Sequence, residues 1–181
     1  MEEVDPAALV FVDESGTNLA MTPRYGRAPR GQRVVGTAPR HHGKNTTLVA
    51  AMTLDGLTAA MTVEGALDRP AFEAYVAQVL VPRLRPGQVV IWDNLSVHKS
   101  DDAQRRIAAA GCQVLWLPPY SPDFTPIEQA FSKLKAALRR SGARTREALD
   151  DAITAALATI TATDAQGWFA HCGYPIPAHL L

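Results

Sequence analysis

The chain has 181 residues, of which 47% are hydrophobic and 20% are charged, and its formal net charge is zero. This size and composition are typical of one soluble globular domain, and no apolar run approaches the roughly 20 residues that a transmembrane helix needs. Two cysteines, Cys112 and Cys172, are too few for a disulfide framework or a cysteine zinc cage. The acidic first residues do not resemble a signal or transit peptide, so we predict a cytoplasmic protein.

The first half of the chain predicts β-structure, because short apolar runs alternate with turn residues. The first strand ends at Asp13 and is closed by Ser15-Gly16, and Asp55-Gly56 between two alternating runs is a strong hairpin signal. The predicted strands cover residues 8–15, 18–22, 32–38, 46–53 and 57–63.

The apolar period then changes from two to about 3.6, which indicates helices between the remaining strands. Asp68 and Ser100 are the predicted N-caps of the first two helices, and Gly111 closes the second. The predicted elements are helix 68–84, strand 88–94, helix 100–111, strand 113–117 and helices 126–140 and 146–160, followed by an irregular tail over 162–181. Without a repeat or a linker, we expect one domain over residues 1–181 with its core at about 8–161.

This order of elements predicts an α/β fold with a mixed sheet flanked by helices. Antiparallel hairpins would form one side of the sheet and right-handed parallel crossovers the other. A ribonuclease-H-like fold has this order, although the order of elements alone does not establish a function.

Positive charges are clustered even though the chain is neutral overall. Residues 15–54 contain no Asp or Glu, and a second basic segment follows residue 132. Neutralising a phosphate backbone is a local effect, so both segments are candidate DNA-binding surfaces, while two solvated basic surfaces are an equally good interpretation. The candidates are Arg24, Arg27, Arg30, Arg33, Arg40, Lys44, Lys133, Lys135, Arg139 and Arg140, with Arg144 and Arg146 just beyond.

Two carboxylates, Asp13 and Asp93, each end a predicted strand. If these strands are parallel neighbours, the two side chains lie roughly 5 Å apart in the crevice where open α/β sheets bind ligands. Like charges that close need a proton or a cation between them, and carboxylate oxygens select Mg²⁺ or Mn²⁺. Ordinary turn chemistry remains an alternative for both residues. Glu14 points to the opposite face from Asp13, so only one of the pair is expected to enter the site.

Glu128 is the candidate for a third carboxylate, and it has a competing structural role. Thr125, Pro126 and Glu128 match a capping box, with Thr125 as the N-cap and Glu128 at the third helical position. Glu128 also begins a helix face that continues with a hydroxyl and two cations, an arrangement that suits an active-site acid with phosphate-binding residues behind it. The residues after Glu128 on this face are Ser132, Lys135 and Arg139.

Three segments, "FVDESG", "VVIWDNLSVHKS" and "LPPYSPDFTPIEQAFSKLK", together resemble the DDE catalytic domain of insertion-sequence transposases of the mariner superfamily, insertion sequence 630 group. The resemblance implies that Asp13, Asp93 and Glu128 are catalytic and hold the metal ions. Thirty-four residues separate Asp93 from Glu128 (128 − 93 − 1), as in that group. Thr125 replaces the family's usual Asn and Phe131 its common Trp, which are tolerable exchanges.

The same resemblance implies a reaction and its partners. Two Mg²⁺ or Mn²⁺ ions would support hydrolysis at the end of a mobile DNA element and then attack of the freed 3′-hydroxyl on target DNA. His98 resembles the family's histidine after Asp-Asn and would contact DNA or brace the site, with a helix-start hydrogen bond as an equal alternative. Asn94 would support Asp93 from a second layer or would only shape the turn. The partners would be double-stranded DNA, both the element ends and a TA target, and a second copy of the chain in the bacterial cytoplasm.

Family members place a helix-turn-helix DNA reader before the catalytic domain, and no such segment precedes residue 8. We therefore expect a separate chain or a fused reading frame to supply it. Two alternatives remain open: a ribonuclease-H-like metal nuclease without strand transfer, and an inactive DNA-binding remnant.

Overall fold

A mixed five-stranded sheet forms the centre of the protein in a computed structural model, which describes residues 5–118 and 122–176. Strand order is β3-β2-β1-β4-β5, where β1 pairs antiparallel with β2 and parallel with β4, and β4 pairs parallel with β5. The strands are β1 (Leu9–Thr17), β2 (Thr46–Thr53), β3 (Gly56–Glu64), β4 (Val89–Trp92) and β5 (Gln113–Trp116). The hairpin at Asp55-Gly56 joins β2 to β3, as predicted.

Helices cover both faces of the sheet and begin largely where the sequence predicts. The Asp68 carboxylate accepts a hydrogen bond from the Ala71 N–H (2.9 Å), and the Ser100 hydroxyl accepts one from the Ala103 N–H (3.2 Å), so both predicted N-caps are confirmed. None of the helices in the described part of the chain is long and apolar enough to cross a bilayer. The α-helices are α1 (Arg69–Tyr75), α2 (Asp101–Ala109), α3 (Ile127–Ser141), α4 (Arg146–Leu157) and α5 (Ala162–His171).

Side-chain alternation along β1 divides the core into two layers. Phe11 faces the layer formed with α3, α4 and α5, where Phe131 and Phe169 are buried. Val12 faces the opposite layer formed with α1 and α2, where Phe72 and Trp92 are buried. The sheet is therefore enclosed on both faces, and its functional groups can reach solvent only at strand ends and edges.

Residues 18–45 connect β1 to β2 without strands, so the predicted strands 18–22 and 32–38 are wrong. Val34 and Val35 are 48% and 86% exposed, so this apolar pair is not part of the core. A short apolar run becomes a strand only when a neighbouring edge pairs with it and a core covers one face. The predicted end of the first strand is also wrong, because pairing with β2 continues past Asp13 to Thr17.

The predicted irregular tail is partly helical, because residues 162–171 form α5. Thr161 and Asp164 form a capping box, in which the Thr161 hydroxyl accepts from the Asp164 N–H (3.2 Å) and the Asp164 carboxylate accepts from the Thr161 N–H (2.9 Å). Phe169 is fully buried against the core and fixes the helix to the sheet. The last residues of the predicted tail, 177–181, lie outside the described part of the chain.

Candidate active site

Parallel pairing of β1 with β4 brings Asp13 level with Asp93. Leu9 pairs with Val89 and Phe11 with Ile91, an offset of 80 residues (89 − 9 = 80). The same offset relates Asp13 to Asp93 (93 − 13 = 80), two residues beyond the last pair. Asp93 follows the last residue of β4, whereas β1 continues alongside β2. The two carboxylates therefore come from neighbouring parallel strands, as predicted.

Glu128 lies in the first turn of α3 with its side chain exposed. The helix begins at Ile127 with Pro126 in the N-cap position and no side-chain cap, and the Glu128 N–H donates to the Thr125 carbonyl oxygen (3.2 Å). The predicted capping box is therefore wrong, because a backbone carbonyl satisfies the amide that the Thr125 hydroxyl was expected to cap. The Glu128 carboxylate is exposed and forms no hydrogen bond or salt bridge with a described residue, so it can meet a ligand in the cleft.

The pKa of Asp13 is affected by the charges of the neighbouring carboxylates. Burial and the negative charges of Glu14, Glu128 and Asp93 together raise its pKa to about 7, although the hydrogen bond from the Glu14 N–H (2.8 Å) opposes them. Asp13, Asp93 and Glu128, from three different elements, thus share one electrostatic environment.

The chemistry of this donor set suits a divalent cation that prefers oxygen ligands, such as Mg²⁺ or Mn²⁺. Burial is the main cause of the raised pKa of Asp13, and a cation would relieve the repulsion from neighbouring carboxylates that adds to it. Among the described residues, however, no three acidic, His or Cys side chains are gathered closely enough to hold an ion together. Like charges repel, so ionised carboxylates do not converge on one point by themselves.

His98 is the central contact of Asp93. Its ring is 1% exposed, with Nδ1 2.6 Å from Asp93 Oδ1 and Nε2 3.0 Å from Glu14 Oε2. Burial opposes a charge on the ring, but the hydrogen bonds to Asp93 and Glu14 outweigh it and raise the pKa of His98 to about 9. Burial also raises the pKa of Asp93, yet the hydrogen bonds from His98 and the Leu95 N–H outweigh it and lower that pKa overall.

Glu14 is the residue that sequence reasoning missed. Its side chain does point away from Asp13, as alternation requires, but it reaches the site from the other face of the sheet through His98. The only sequence signal for Glu14 is its position next to Asp13. Its contact with His98, 84 residues away, becomes visible only in the fold. Asn94 is exposed and its side chain forms no hydrogen bond with a described residue, so its support of Asp93 stays a prediction.

A cleft of about 570 Å³ opens beside Glu128. Its lining includes Ser132, one turn along α3, and His171 at the end of α5, a residue to which the sequence assigned no role. Lys135 and Arg139 continue the same predicted face and form no salt bridge with a described residue. The cleft lining is Asp123, Glu128, Gln129, Ser132 and His171.

The predicted DNA-binding cations fall into two groups. Lys133 Nζ lies 2.6 Å from Asp164 Oδ2 and donates to the Thr159 carbonyl oxygen (2.9 Å), so it ties α3 to α5. Lys44 Nζ lies 2.6 Å from Glu64 Oε1. Arg146, just beyond the candidates, forms salt bridges with Asp150 and Glu64. Eight other candidate cations form no salt bridge with any residue of the described ranges, and those between β1 and β2 are exposed. This second group is Arg24, Arg27, Arg30, Arg33, Arg40, Lys135, Arg139 and Arg140.

The fold is similar to those of solved transposase structures. The chain is similar to the Mos1 transposase in its paired-end complex with the left transposon end, with a TM-score of 0.71 and 18% identity over 92% of this chain and 52% of that chain. It is also similar to the catalytic domain of the Mos1 mariner transposase, with a TM-score of 0.65 and 14% identity over 93% of this chain and 76% of that chain. The chain spans about half the length of the Mos1 chain in the paired-end complex.

These structural likenesses confirm the predicted ribonuclease-H-like mixed sheet. Comparison with curated protein sequences finds no match. The model of the family described as DDE superfamily endonuclease matches residues 8–150, which is most of the chain. The chain therefore belongs to the DDE superfamily of endonucleases.

Proposed function

We propose that this chain is the catalytic domain of a transposase that cleaves the ends of a mobile DNA element and joins them to target DNA. The observation that carries the proposal is the shared electrostatic environment of Asp13, Asp93 and Glu128, three carboxylates from β1, the end of β4 and the start of α3. The family membership and the likeness to Mos1 transposase complexes support the same function.

Asp13, Asp93 and Glu128 are the residues that would hold the metal ions. The paired-end complex of Mos1 has been solved with Mn and with Mg, which supports a divalent cation here. Two bound ions would supply Lewis-acid activation of the attacking hydroxyl and stabilisation of the leaving oxygen. Within the chain, the hydrogen bonds from His98 and the Leu95 N–H keep Asp93 ionised and fix its orientation.

The DNA backbone would be bound by the predicted cations that form no salt bridge with a described residue. Lys135 and Arg139 follow Glu128 along α3, so they would bind phosphates next to the reacting bond. The exposed arginines between β1 and β2 would bind more distant phosphates. Lys133 has no such role in the proposal, because Asp164 already binds its ammonium group.

The assembly on DNA is part of the same proposal. One domain over residues 1–181 would act as a homodimer on paired element ends, with TA as the target dinucleotide. A helix-turn-helix region, from a separate chain or a fused reading frame, would supply sequence recognition, which fits the coverage of only about half of the Mos1 chain.

Mn²⁺-dependent nicking of supercoiled plasmid by the purified protein tests the carboxylate assignment. We expect Asp13→Asn, Asp93→Asn and Glu128→Gln each to reduce nicking by about 100-fold or more, since losing even outer-layer supports of a metal site costs roughly 10–100-fold. Asp123→Asn is the matched control, because Asp123 lines the same cleft without belonging to the triad. Nicking that survives all three triad substitutions would refute the assignment.

A metal nuclease without strand transfer is the second candidate, and the endonuclease description of the matching family favours it. The two candidates differ in their products. A pre-cleaved element end with a 3′-hydroxyl, incubated with target plasmid and Mn²⁺, would give a joined product only for a transposase. An inactive remnant would still bind DNA, with or without Asp93→Asn, and would give neither nicked nor joined product.

A further inference from the structure

We infer that Glu14 is a positioning residue that orients Asp93 through the buried ring of His98. The inference rests on the proposed function, in which Asp93 is a metal ligand. Glu14 lies on the face of the sheet opposite Asp13, so it would support the metal site from behind without contacting the ion.

The ring of His98 has little freedom to move. It is 1% exposed, its centroid lies 4.7 Å from that of Phe72, and it stacks on Trp92 at 6.1 Å with an interplanar angle of 28°. The His98 N–H also donates to the Leu95 carbonyl oxygen (3.1 Å), which closes the turn after Asp93. Aromatic packing thus fixes the ring plane, and the two carboxylate contacts fix which ring nitrogen faces Asp93 and which faces Glu14.

Both ends of the ring contact carboxylate oxygens. Nδ1 lies 2.6 Å from Asp93 Oδ1 and Nε2 lies 3.0 Å from Glu14 Oε2. Each ring nitrogen therefore has one carboxylate partner, and the buried ring links Glu14 of β1 to Asp93. Without the Glu14 side chain, Nε2 of this buried ring would lose its polar partner, and the ring would no longer be held at that end.

The orientation of Asp93 follows from these contacts. Its Oδ1 accepts from His98 Nδ1 and from the Leu95 N–H (3.1 Å), which occupies that oxygen with two donors. Oδ2 is therefore the oxygen left to meet a cation. Outer contacts of this kind fix a ligand before the metal arrives, and removing one typically weakens metal binding by roughly 10–100-fold.

Mn²⁺ binding to the purified chain, followed by the electron paramagnetic resonance signal of free Mn²⁺, tests the inference without relying on turnover. We expect Glu14→Ala to weaken binding by roughly 10-fold or more. Glu14→Gln keeps an acceptor for Nε2 and should recover part of this affinity. Glu147→Ala and Glu147→Gln are the matched controls, because Glu147 is exposed in the first turn of α4.

A double substitution separates positioning from a general structural role. If Glu14 acts through His98, then adding Glu14→Ala to His98→Gln should not weaken Mn²⁺ binding further. Effects that multiply in the double variant, or a Glu14→Ala affinity equal to that of the Glu147→Ala control, would overturn the inference. Melting temperatures of the same samples identify unfolded protein, and Glu14→Gln alone decides the matter if Glu14→Ala does not fold.

The same titration distinguishes this inference from the proposed function. Asp93→Asn should abolish tight Mn²⁺ binding if Asp93 is a metal ligand. If Asp93→Asn abolishes tight Mn²⁺ binding while the Glu14 variants bind Mn²⁺ as tightly as the Glu147 controls, only the positioning role of Glu14 is wrong. If Asp93→Asn leaves Mn²⁺ affinity unchanged, the metal-site assignment is wrong and the role of Glu14 falls with it.

Discussion

Asp13 and Asp93 lie level with each other on neighbouring parallel strands, although 80 residues separate them in the chain. The chain treats the two carboxyl groups differently. Asp93 receives hydrogen bonds from His98 and the Leu95 N–H, and its pKa is lowered, whereas Asp13 is more buried and its pKa is raised to about 7. Without a bound cation, the ionised Asp13 carboxylate therefore destabilises the folded protein.

Replacing Asp13 by Asn should stabilise the metal-free protein at high pH. The unfolded carboxyl has a pKa of 3.8 and the folded one about 7, so the folded state holds an extra proton between these values and stability falls as the pH rises through them. At pH 8 in EDTA we expect Asp13→Asn to melt several degrees above the unmodified protein, for a gain of roughly 2–4 kcal/mol. The difference should shrink towards pH 4.

Asp151→Asn is the control for that experiment, because Asp151 is exposed on α4 and forms no hydrogen bond or salt bridge with a described residue. Thermal unfolding followed by circular dichroism at pH 4, 6 and 8 measures both variants. An Asp13→Asn protein that melts below the unmodified protein at pH 8 would contradict the cost assigned to this carboxylate.

Lys133 and Lys135 should respond to substitution in opposite ways. Lys133→Ala removes the hydrogen bonds to Asp164 and the Thr159 carbonyl, so we expect stability to fall by about 1 kcal/mol and DNA binding to stay unchanged. Lys135→Ala should leave stability unchanged and weaken DNA binding. Fluorescence anisotropy of a labelled duplex at several salt concentrations should show a slope reduced by roughly 0.9 for each phosphate that is no longer neutralised. A reduced slope for Lys133→Ala would contradict this division.

The local signals in the sequence account for most of the fold. Asp68 and Ser100 were recognisable N-caps because their hydrogen bonds join residues three apart. The strands 18–22 and 32–38 were mispredicted because a strand needs a partner edge, which no local pattern supplies. Helix α5 was missed although Thr161 and Asp164 match a capping box, since its apolar face is short.

In the candidate site, the sequence predicts which strands carry the carboxylates but not the side-chain contacts around them. The proximity of Asp13 and Asp93 follows from topology, because parallel neighbours bring their carboxyl ends together. The contact of Glu14 with His98 depends on how side chains pack around a buried ring 84 residues away, so strand alternation alone excluded Glu14 from the site. Whether the hydroxyl or the carbonyl oxygen of Thr125 accepts from the Glu128 N–H likewise depends on the backbone geometry at the start of α3, which no local residue pattern supplies.

Asp164 should make the stability of α5 sensitive to acid. The hydrogen bond from Lys133, with a further one from the Thr161 N–H, lowers the pKa of Asp164 from 3.8 to about 2. A depressed pKa contributes stability above the unfolded value and loses it as the pH falls from about 4 to 2. Asp164→Asn should therefore lower the free energy of unfolding by only about 1 kcal/mol at pH 7, because Lys133 and Asp164 are both partly exposed. At pH 2 the substitution should cost almost nothing, because the Asp164 carboxylate is then largely protonated. Equal costs in urea unfolding at about pH 7 and about pH 2 would contradict the ion pair.

Two glycine-to-alanine substitutions should change stability in opposite directions. Gly142 follows α3 with φ of +61°, where its N–H donates to the Leu138 carbonyl oxygen (3.3 Å), so a Cβ there costs about 1 kcal/mol. Gly167 lies inside α5 with open space around its Cβ position, so alanine should gain roughly 0.5–1 kcal/mol. Urea unfolding of both variants measures the difference. A stabilising Gly142→Ala would mean that α3 does not end in the left-handed conformation, and a destabilising Gly167→Ala would contradict the helical assignment of residues 162–171.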